Sequence, residues 1–577
     1  MDMVNVKVNG IAVSVPKGST ILEAAHAAGV EIPTLCYLKD MNEIGACRIC
    51  VVEATGARGL VTACVYPVAE GMEIQTNTDK VRAARKTTLE LILSTHEKKC
   101  LSCVRSTNCE LQKLCLDYGV EDNGKYDGFH PEYALDESAP HMIRDNNKCI
   151  LCRRCVAACQ QQFVSVIGAN DRGIDTHIAC AFEKPLGDVP CVSCGQCINV
   201  CPTGALREKD NTAEVFEALS DPDKIVLVQT APAVRAAIGE EFGLPIGTPC
   251  EGKMVAALRR LGFDKVFDTD FGADMTIVEE ATELVDRVKN GGVLPMITSC
   301  SPGWVKFAEL YYPDQLANLS TCKSPQQMFG AILKTYYAEK NGIDPRNIVS
   351  VSVMPCTAKK FELTREDEDA AGMPDVDISI TTRELARMIR RAGLNFTALP
   401  DEEFDMPLGA DTGAAVIFGG VMEAALRTAN DVLTGKDNGS VDFTEVRGME
   451  GLKEATYNIA GLEVKVAVAS GLTAANHVMS MIKDGTAPWT FVEIMCCPGG
   501  CINGGGQPIV PAVVRNFENY RAKRAKVLYD MDRDMPLRKS HQNPMVVEIY
   551  KDYFESFGSH KAHEVLHTHY TARKKFR

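Results

Sequence analysis

Cysteine spacing constrains this sequence more than any other feature. CILCRRCVAAC places Cys149, Cys152, Cys155 and Cys159 within one short stretch, and CVSCGQCINVCP repeats the pattern with Cys191, Cys194, Cys197 and Cys201. Thiols packed at these intervals gather around metal, whereas a disulfide framework spreads its cysteines along the chain. The chain has 24 cysteines in all, and others share the short spacing. The N-terminus MDMVNVKVNG carries no basic region followed by an apolar leader, and no apolar run reaches the roughly eighteen residues a membrane span needs. A cytoplasmic, reducing location is expected, which also disfavours disulfides. A net charge of −14 excludes binding to nucleic acid through phosphate neutralisation. Hydrophobic residues make up 45% of the chain, enough for several ordinary buried cores.

The repeated run, with Pro202 closing the second copy, resembles bacterial two-cluster ferredoxins, in which the fourth cysteine of each run serves the other cluster. That predicts one 4Fe4S set of Cys149, Cys152, Cys155 and Cys201, and a second of Cys191, Cys194, Cys197 and Cys159. Upstream, Val4, Val6 and Val8 alternate, Asn9 and Gly10 turn the chain, and Ile11, Val13 and Val15 alternate again, as a hairpin does. Ser19 or Thr20 can cap the following helix, which Gly29 ends. Cys36, Cys47, Cys50 and Cys64 come next, a set that suits a 2Fe2S cluster or zinc. The ββα lead-in resembles plant-type ferredoxins, although ten residues separate Cys36 from Cys47 where those proteins have fewer. His96, Cys100, Cys103 and Cys109 suit either zinc or a 4Fe4S cluster, and their position among other redox sites favours 4Fe4S. A nitrogen ligand would shift its potential, by analogy with Rieske centres.

Beyond about residue 210 cysteines thin out. KIVLVQTAPAV, VLPMITSC, IVSVSVMPC, AAVIFGG and FVEIMCC read as buried strands of an α/β sheet, with helices such as MTIVEEATELVDRVKNGG between them. Cys300 in ITSCSPGW, Cys356 in VMPCTAKKFE, and Cys496, Cys497 and Cys501 in EIMCCPGGCINGGGQP all stand where a strand stops. Ligands of open α/β sheets collect there, so three distant loops can converge on one site. Taken singly, each cysteine also reads as a small buried apolar residue, the default for Cys115, Cys180, Cys250, Cys322 and Cys496.

TSCSPGW, MPCTAKKFE and EIMCCPGGCINGGGQP resemble the three signature motifs of FeFe hydrogenases, and the order of cluster domains is similar to the large clostridial-type members. The likeness is greatest to the hydrogen-activating subunit of NAD-coupled hydrogenases. The resemblance implies a multidomain α+β and α/β chain: a 2Fe2S ferredoxin-like domain at 1–80, a His/Cys3 4Fe4S domain at 81–125, a two-4Fe4S domain at 126–210, an H-cluster catalytic domain at 211–515, and a C-terminal helical segment at 516–577. Its implied cofactors are one 2Fe2S, three 4Fe4S and an H-cluster, a 4Fe4S unit joined to a two-iron site bearing CO, cyanide and a bridging dithiolate amine. Cys356, Cys497 and Cys501 are implied ligands, Cys501 bridging. Lys359 would hydrogen-bond a cyanide. Ala231, Pro232, Gln326, Met354 and Met495 would line the two-iron site.

One position departs from the family. The usual first motif has two adjacent cysteines, a proton relay then a ligand, and here the second is Ser301. Either Ser301 supplies oxygen, or Cys300 ligates instead, or coordination differs in this variant; thiolate is the softer ligand. Glu280, Glu283 and Arg287 share one helical face, which by spacing reads as a solvated salt-bridging stripe. The resemblance instead implies a proton relay of Cys300, Glu280, Ser320, Glu283 and Arg287, whose carboxyls would need raised pKa values. The implied activity is reversible conversion of protons and electrons to H₂, with ferredoxin and NADH-dehydrogenase-like subunits as partners. An electron-wiring subunit or a sensory relative is the alternative. The His-rich end HKAHEVLHTHY reads as a surface helix end.

Overall fold

The computed structural model describes residues 2–121, 124–126, 129–406, 420–434, 451–459 and 462–576. Strands Met3–Val8 and Ile11–Pro16 pair antiparallel, with Val4, Val6 and Val8 buried on one face. Asn9 at φ 49° and Gly10 at φ 86° make the turn, the left-handed pair a two-residue hairpin requires. Thr20 and Glu23 form a reciprocal capping box at the start of helix Ile21–Ala27, worth about 1 kcal/mol. Three further strands complete this five-stranded N-terminal sheet. Helix Asp79–Ser94 then leads towards His96.

The repeated cysteine runs fold as a small unit. Strand Met142–Arg144 pairs with Leu206–Glu208, and Ile167–Asn170 pairs with His177–Cys180. Helices Arg154–Gln161 and Gln196–Asn199 carry the last cysteines of each run or stand beside them.

The half of the chain beyond residue 210 corrects the expectation of one sheet: there are two, each of four strands. The first is all parallel, in the order Lys265–Asp268, Ile225–Thr230, Ile348–Met354, Ile378–Thr381. The second runs Met296–Ile297, Phe491–Met495, Leu462–Ser470, with Gly451–Ile459 antiparallel at its edge. Helix Asp270–Asn290 keeps them apart because it is apolar on two faces. Phe271, Met275 and Val278 join one core, while Ala273, Ile277 and Leu284 join another beside the second sheet. Of the run AAVIFGG, all but Gly420 lies outside the described residues, and Gly420 begins helix Gly420–Thr434. The C-terminal helices Pro544–Ile549 and His560–Leu566 pack onto the first lobe, burying Ile549, Ala562 and Leu566. Among the described residues no helix is long and apolar enough to cross a membrane.

Candidate metal centre and active site

The N-terminal cysteines sit as two pairs. The Cys47 N–H donates to Cys36 Sγ at 3.4 Å, and Cys50 Sγ lies 3.3 Å from Cys64 Sγ. Two irons bridged by two sulfides each need two terminal thiolates, so the pairing fits a 2Fe2S cluster. At the next set, His96 Nδ1 is buried with no hydrogen-bond partner, a cost of about 1–3 kcal/mol that a metal would remove. A Cβ on Gly204 would stand 2.6 Å from Cys103 Sγ, so only glycine lets the second ferredoxin-like run approach this site.

The crossed pattern is present in space. Cys149, Cys152, Cys155 and Cys201 surround one small cavity, and Cys159, Cys191, Cys194 and Cys197 surround another. The first set is mostly buried and the second half-buried, and desolvation pushes Cys149 and Cys159 up to about 12. Thiols held that way need a cation before they become thiolates. If the pattern carries ligands, Cys201→Ala removes the signal of the first 4Fe4S cluster and Cys159→Ala that of the second. Electron paramagnetic resonance of the reduced protein checks it; loss of the same signal in both variants would refute crossing.

The sites are joined end to end. Asn42 Nδ2 donates to the carbonyls of both Cys36 and Cys152, at 2.8 and 3.0 Å. Arg105 Nη1 donates to Cys201 O at 2.8 Å, tying the His96 set to the same ferredoxin-like site. At the far end the Cys496 thiol lies beside the sulfurs of Cys194 and Cys497, and Gln162 Nε2 donates to Cys496 O at 3.0 Å.

Loops from the two sheets meet at one cavity of about 140 Å³. Ala231 and Pro232 come from the end of strand Ile225–Thr230, Met354 and Cys356 from strand Ile348–Met354, and Met495 and Cys501 from strand Phe491–Met495. Cys300, Gln326 and Lys359 complete the wall. Cys501 is enclosed by protein yet accessible, because it faces this space. Cys497 stands just behind, where its charge raises Cys356 and Cys501 further after burial has done so. Lys359 Nζ donates to Ser324 Oγ at 2.8 Å and Glu362 Oε2 at 2.9 Å, and to Cys300 O at 3.3 Å. Gln326 is locked by Glu362 and Ser352, at 2.9 and 2.7 Å. Ser301, like Cys497, stands outside the lining; its Oγ accepts from Cys496 N–H at 3.2 Å.

From the cavity wall a line of protonable groups leads outward. The Cys300 thiol is buried beside Glu280. Glu280 is fully buried, and burial, then the Glu283 charge, raises it to about 8. Ser320 Oγ donates to Glu283 Oε2 at 3.0 Å, and Arg287 Nη2 donates to Glu283 Oε1 at 2.6 Å. The helical stripe is therefore not a solvated face: the Glu283 and Arg287 side chains are each only 12% exposed.

The family described as iron only hydrogenase large subunit, C-terminal domain, matches residues 224–505, and that of the iron hydrogenase small subunit matches 518–573. A 2Fe-2S iron-sulfur cluster binding domain matches 1–79, a NADH-ubiquinone oxidoreductase-G iron-sulfur binding region 85–123, and a 4Fe-4S dicluster domain 148–205. The NADP-reducing hydrogenase subunit HndD of Solidesulfovibrio fructosivorans is 49% identical over the whole of both chains. The chain belongs to the FeFe hydrogenases. Iron hydrogenase 1 of Clostridium pasteurianum is 44% identical over 98% of this chain and 100% of its own. An apo FeFe-hydrogenase from Chlamydomonas reinhardtii, at 41% identity, covers 63% of this chain and 100% of its own with a TM-score of 0.57. This FeFe hydrogenase carries an H-cluster domain together with 2Fe-2S and 4Fe-4S binding domains.

Three groups around the hydrogenase site escaped sequence reasoning. Glu493 is fully buried beside Cys300, raised to about 7 by burial, and its Oε2 accepts from Met422 N–H at 2.8 Å. A charged residue inside the apolar run FVEIM was the available signal. His141 Nε2 lies 3.9 Å from Cys191 Sγ at a cluster site; nothing in its sequence context marks it. His567 corrects the reading of the His-rich end as surface. Its ring is buried, with Nε2 3.1 Å from Glu279 Oε2 and Nδ1 2.7 Å from Thr321 Oγ1, and it gathers with Cys322 and Glu283. The other histidines of the tract keep the expected exposure, His560 at 90% and His569 at 74% of the side chain.

Proposed function

We propose that this chain interconverts protons and electrons with H₂ at the cavity bounded by Cys300, Cys356 and Cys501. The observation that carries the reading is the meeting of three motif loops, an ammonium and the start of a protonable chain at one enclosed space. Cys356, Cys497 and Cys501 would hold the 4Fe4S unit, with Cys501 reaching into the cavity that the two-iron site fills. When bound, the H-cluster would supply the iron chemistry by which H₂ is split or formed.

The protein's residues do the remaining work. Ala231, Pro232, Met354 and Met495 keep water out. Lys359, fixed by Ser324 and Glu362, presents its charge to an anionic ligand, where a charge-assisted hydrogen bond in a dry site is strong. Cys300 passes a proton to or from Glu280, and Ser320, Glu283 and Arg287 carry it outward. Electrons cross between the clusters, and the two N-terminal sites converge on the Cys149 site as alternative branches. Of the finer placement, with ferredoxin or an NAD-linked subunit as partner in a cytoplasmic setting, the nicotinamide-linked partner draws support from the Solidesulfovibrio relative, a subunit of an NADP-reducing hydrogenase. Infrared spectroscopy of the matured protein together with an H₂-evolution assay tests the whole reading; no CO and cyanide bands under conditions that mature a known member would end it.

One surface suits protein donors. Cys100 is exposed, and Leu101 and Leu116 stand out beside its site at 102% and 81% exposure. The double variant Leu101→Glu, Leu116→Glu should slow electron delivery from a protein partner about tenfold, the effect of roughly 1.4 kcal/mol of docking energy. Turnover with reduced methyl viologen should hold steady; an equal fall in both assays would sink the docking role.

A further inference from the structure

We propose that Cys496 supplies the thiolate ligand of the 4Fe4S unit that Ser301 cannot. The proposal rests on the H-cluster reading above and adds a residue to it. Cys356, Cys497 and Cys501 provide three sulfurs, and a four-iron cube has a fourth corner to fill. Cys300 is not free for it: its thiol faces the cavity among Glu280, Glu493, Cys501 and Lys359, at the head of the proton line. Ser301 is poorly suited, since a hydroxyl holds its proton far more tightly than a thiol and is a harder ligand than iron–sulfur clusters prefer. Its oxygen is also engaged, accepting the Cys496 N–H at 3.2 Å while Ser301 stands at the head of helix Pro302–Tyr311.

That same hydrogen bond places Cys496 against Ser301. The Cys496 thiol contacts Cys497 on one side and is 4% exposed. A Cβ on Gly303 would fall 2.7 Å from Cys496 Sγ, so the sulfur lies over the first turn of the helix that Ser301 heads, in space only a glycine leaves open. A thiol is thus lodged within one helical turn of the position where the family places its ligand. On binding, the S–H bond breaks, an Fe–S bond forms and the proton leaves to solvent; no electron is transferred. Cys496 also lies beside Cys194, a ligand position of the neighbouring ferredoxin-like site, so a ligating Cys496 would bring a sulfur of each cluster into van der Waals contact.

The test uses the full chain with its iron–sulfur clusters inserted but the two-iron site withheld, read by Mössbauer spectroscopy and iron content. Cys496→Ala should lose about four irons per chain, or convert the 4Fe4S unit to a site with one labile iron, while the ferredoxin-type clusters persist. Ser301→Ala should leave the iron unchanged. The double variant Ser301→Cys, Cys496→Ala should regain the full complement, which a variant that merely misfolds would not do. Full iron and an unaltered 4Fe4S spectrum in Cys496→Ala would overturn the proposal and leave Cys496 as a hydrogen-bond donor to its neighbours. Loss in Ser301→Ala alone would assign the ligand to serine. A parent chain lacking any 4Fe4S unit beyond the ferredoxin-type clusters would overturn the H-cluster reading along with this one.

Discussion

Glu280→Gln is expected to lower both H₂ evolution and H₂ uptake by about 10²–10⁴-fold, the usual worth of a positioned proton-transfer group. Glutamine keeps the size of the side chain and its hydrogen-bonding capacity but has no exchangeable carboxyl proton. Glu280 is fully buried on helix Asp270–Asn290, so water cannot readily replace it. The loss should leave the CO and cyanide infrared bands in place, because Glu280 touches no residue assigned to the iron. Its pKa near 8, raised first by burial and then by Glu283, gives the sign of the pH dependence. Below about 8 the group is protonated and can hand a proton towards Cys300; above it the carboxylate dominates and delivery slows. Evolution by the parent enzyme should therefore decline as pH rises through about 8, and the residual activity of Glu280→Gln should lack that step. An assay with reduced methyl viologen across this range decides it. Retention of half the activity would remove Glu280 from the relay.

The sequence carried the local chemistry well and the long-range geometry poorly, for a physical reason. A ligand run such as Cys149 to Cys159 is written at the spacing at which it acts, and so is the hairpin around Asn9 and Gly10. The motif loops were legible only together: each cysteine at a strand end could be packing, but three of them within TSCSPGW, MPCTAKKFE and EIMCCPGGCINGGGQP resemble one family's signature. Spacing could not reveal that Cys356 belongs to one sheet and Cys497 to another, since helix Asp270–Asn290 separates the lobes only through burial on both its faces. His567 meets Glu279 across 288 positions, a contact no periodicity reports. Cys496 looked like packing for the same reason: its neighbours Ser301 and Cys194 are 195 and about 300 residues away. The stripe of Glu280, Glu283 and Arg287 shows the converse hazard. Its spacing predicted a salt bridge correctly, yet burial turns that pair from a surface ornament into part of a conduit.

Burial also fixes how the electron-transfer unit is held to the catalytic lobe, and this gives the second large effect. Arg383 heads helix Thr382–Arg391 and is nearly fully buried. Its guanidinium donates to Glu208 Oε2 at 2.7 Å and 3.0 Å, to the Gln507 and Gly505 carbonyls at 2.6 and 2.7 Å, and to Asn199 Oδ1 at 3.2 Å. It thus ties the strand that closes the ferredoxin-like unit to the glycine loop after Cys501. Arg383→Met removes one partner of a buried pair and leaves Glu208 to Arg387 alone, at 2.7 Å. Breaking such a pair costs about 3–5 kcal/mol. Burial opposes the Glu208 charge, but Arg383 and Arg387 outweigh it and hold the carboxyl well below its ordinary range. A carboxyl depressed in the folded state stabilises it above the unfolded value near 4.5, and that contribution disappears as pH falls towards the folded value. The difference in unfolding midpoint between parent and Arg383→Met should consequently be full at pH 7 and narrow below about pH 4.5. Denaturant unfolding followed at both pH values measures it. An equal gap at the two pH values would mean that Arg383 acts through packing and carbonyl contacts alone, without the Glu208 charge.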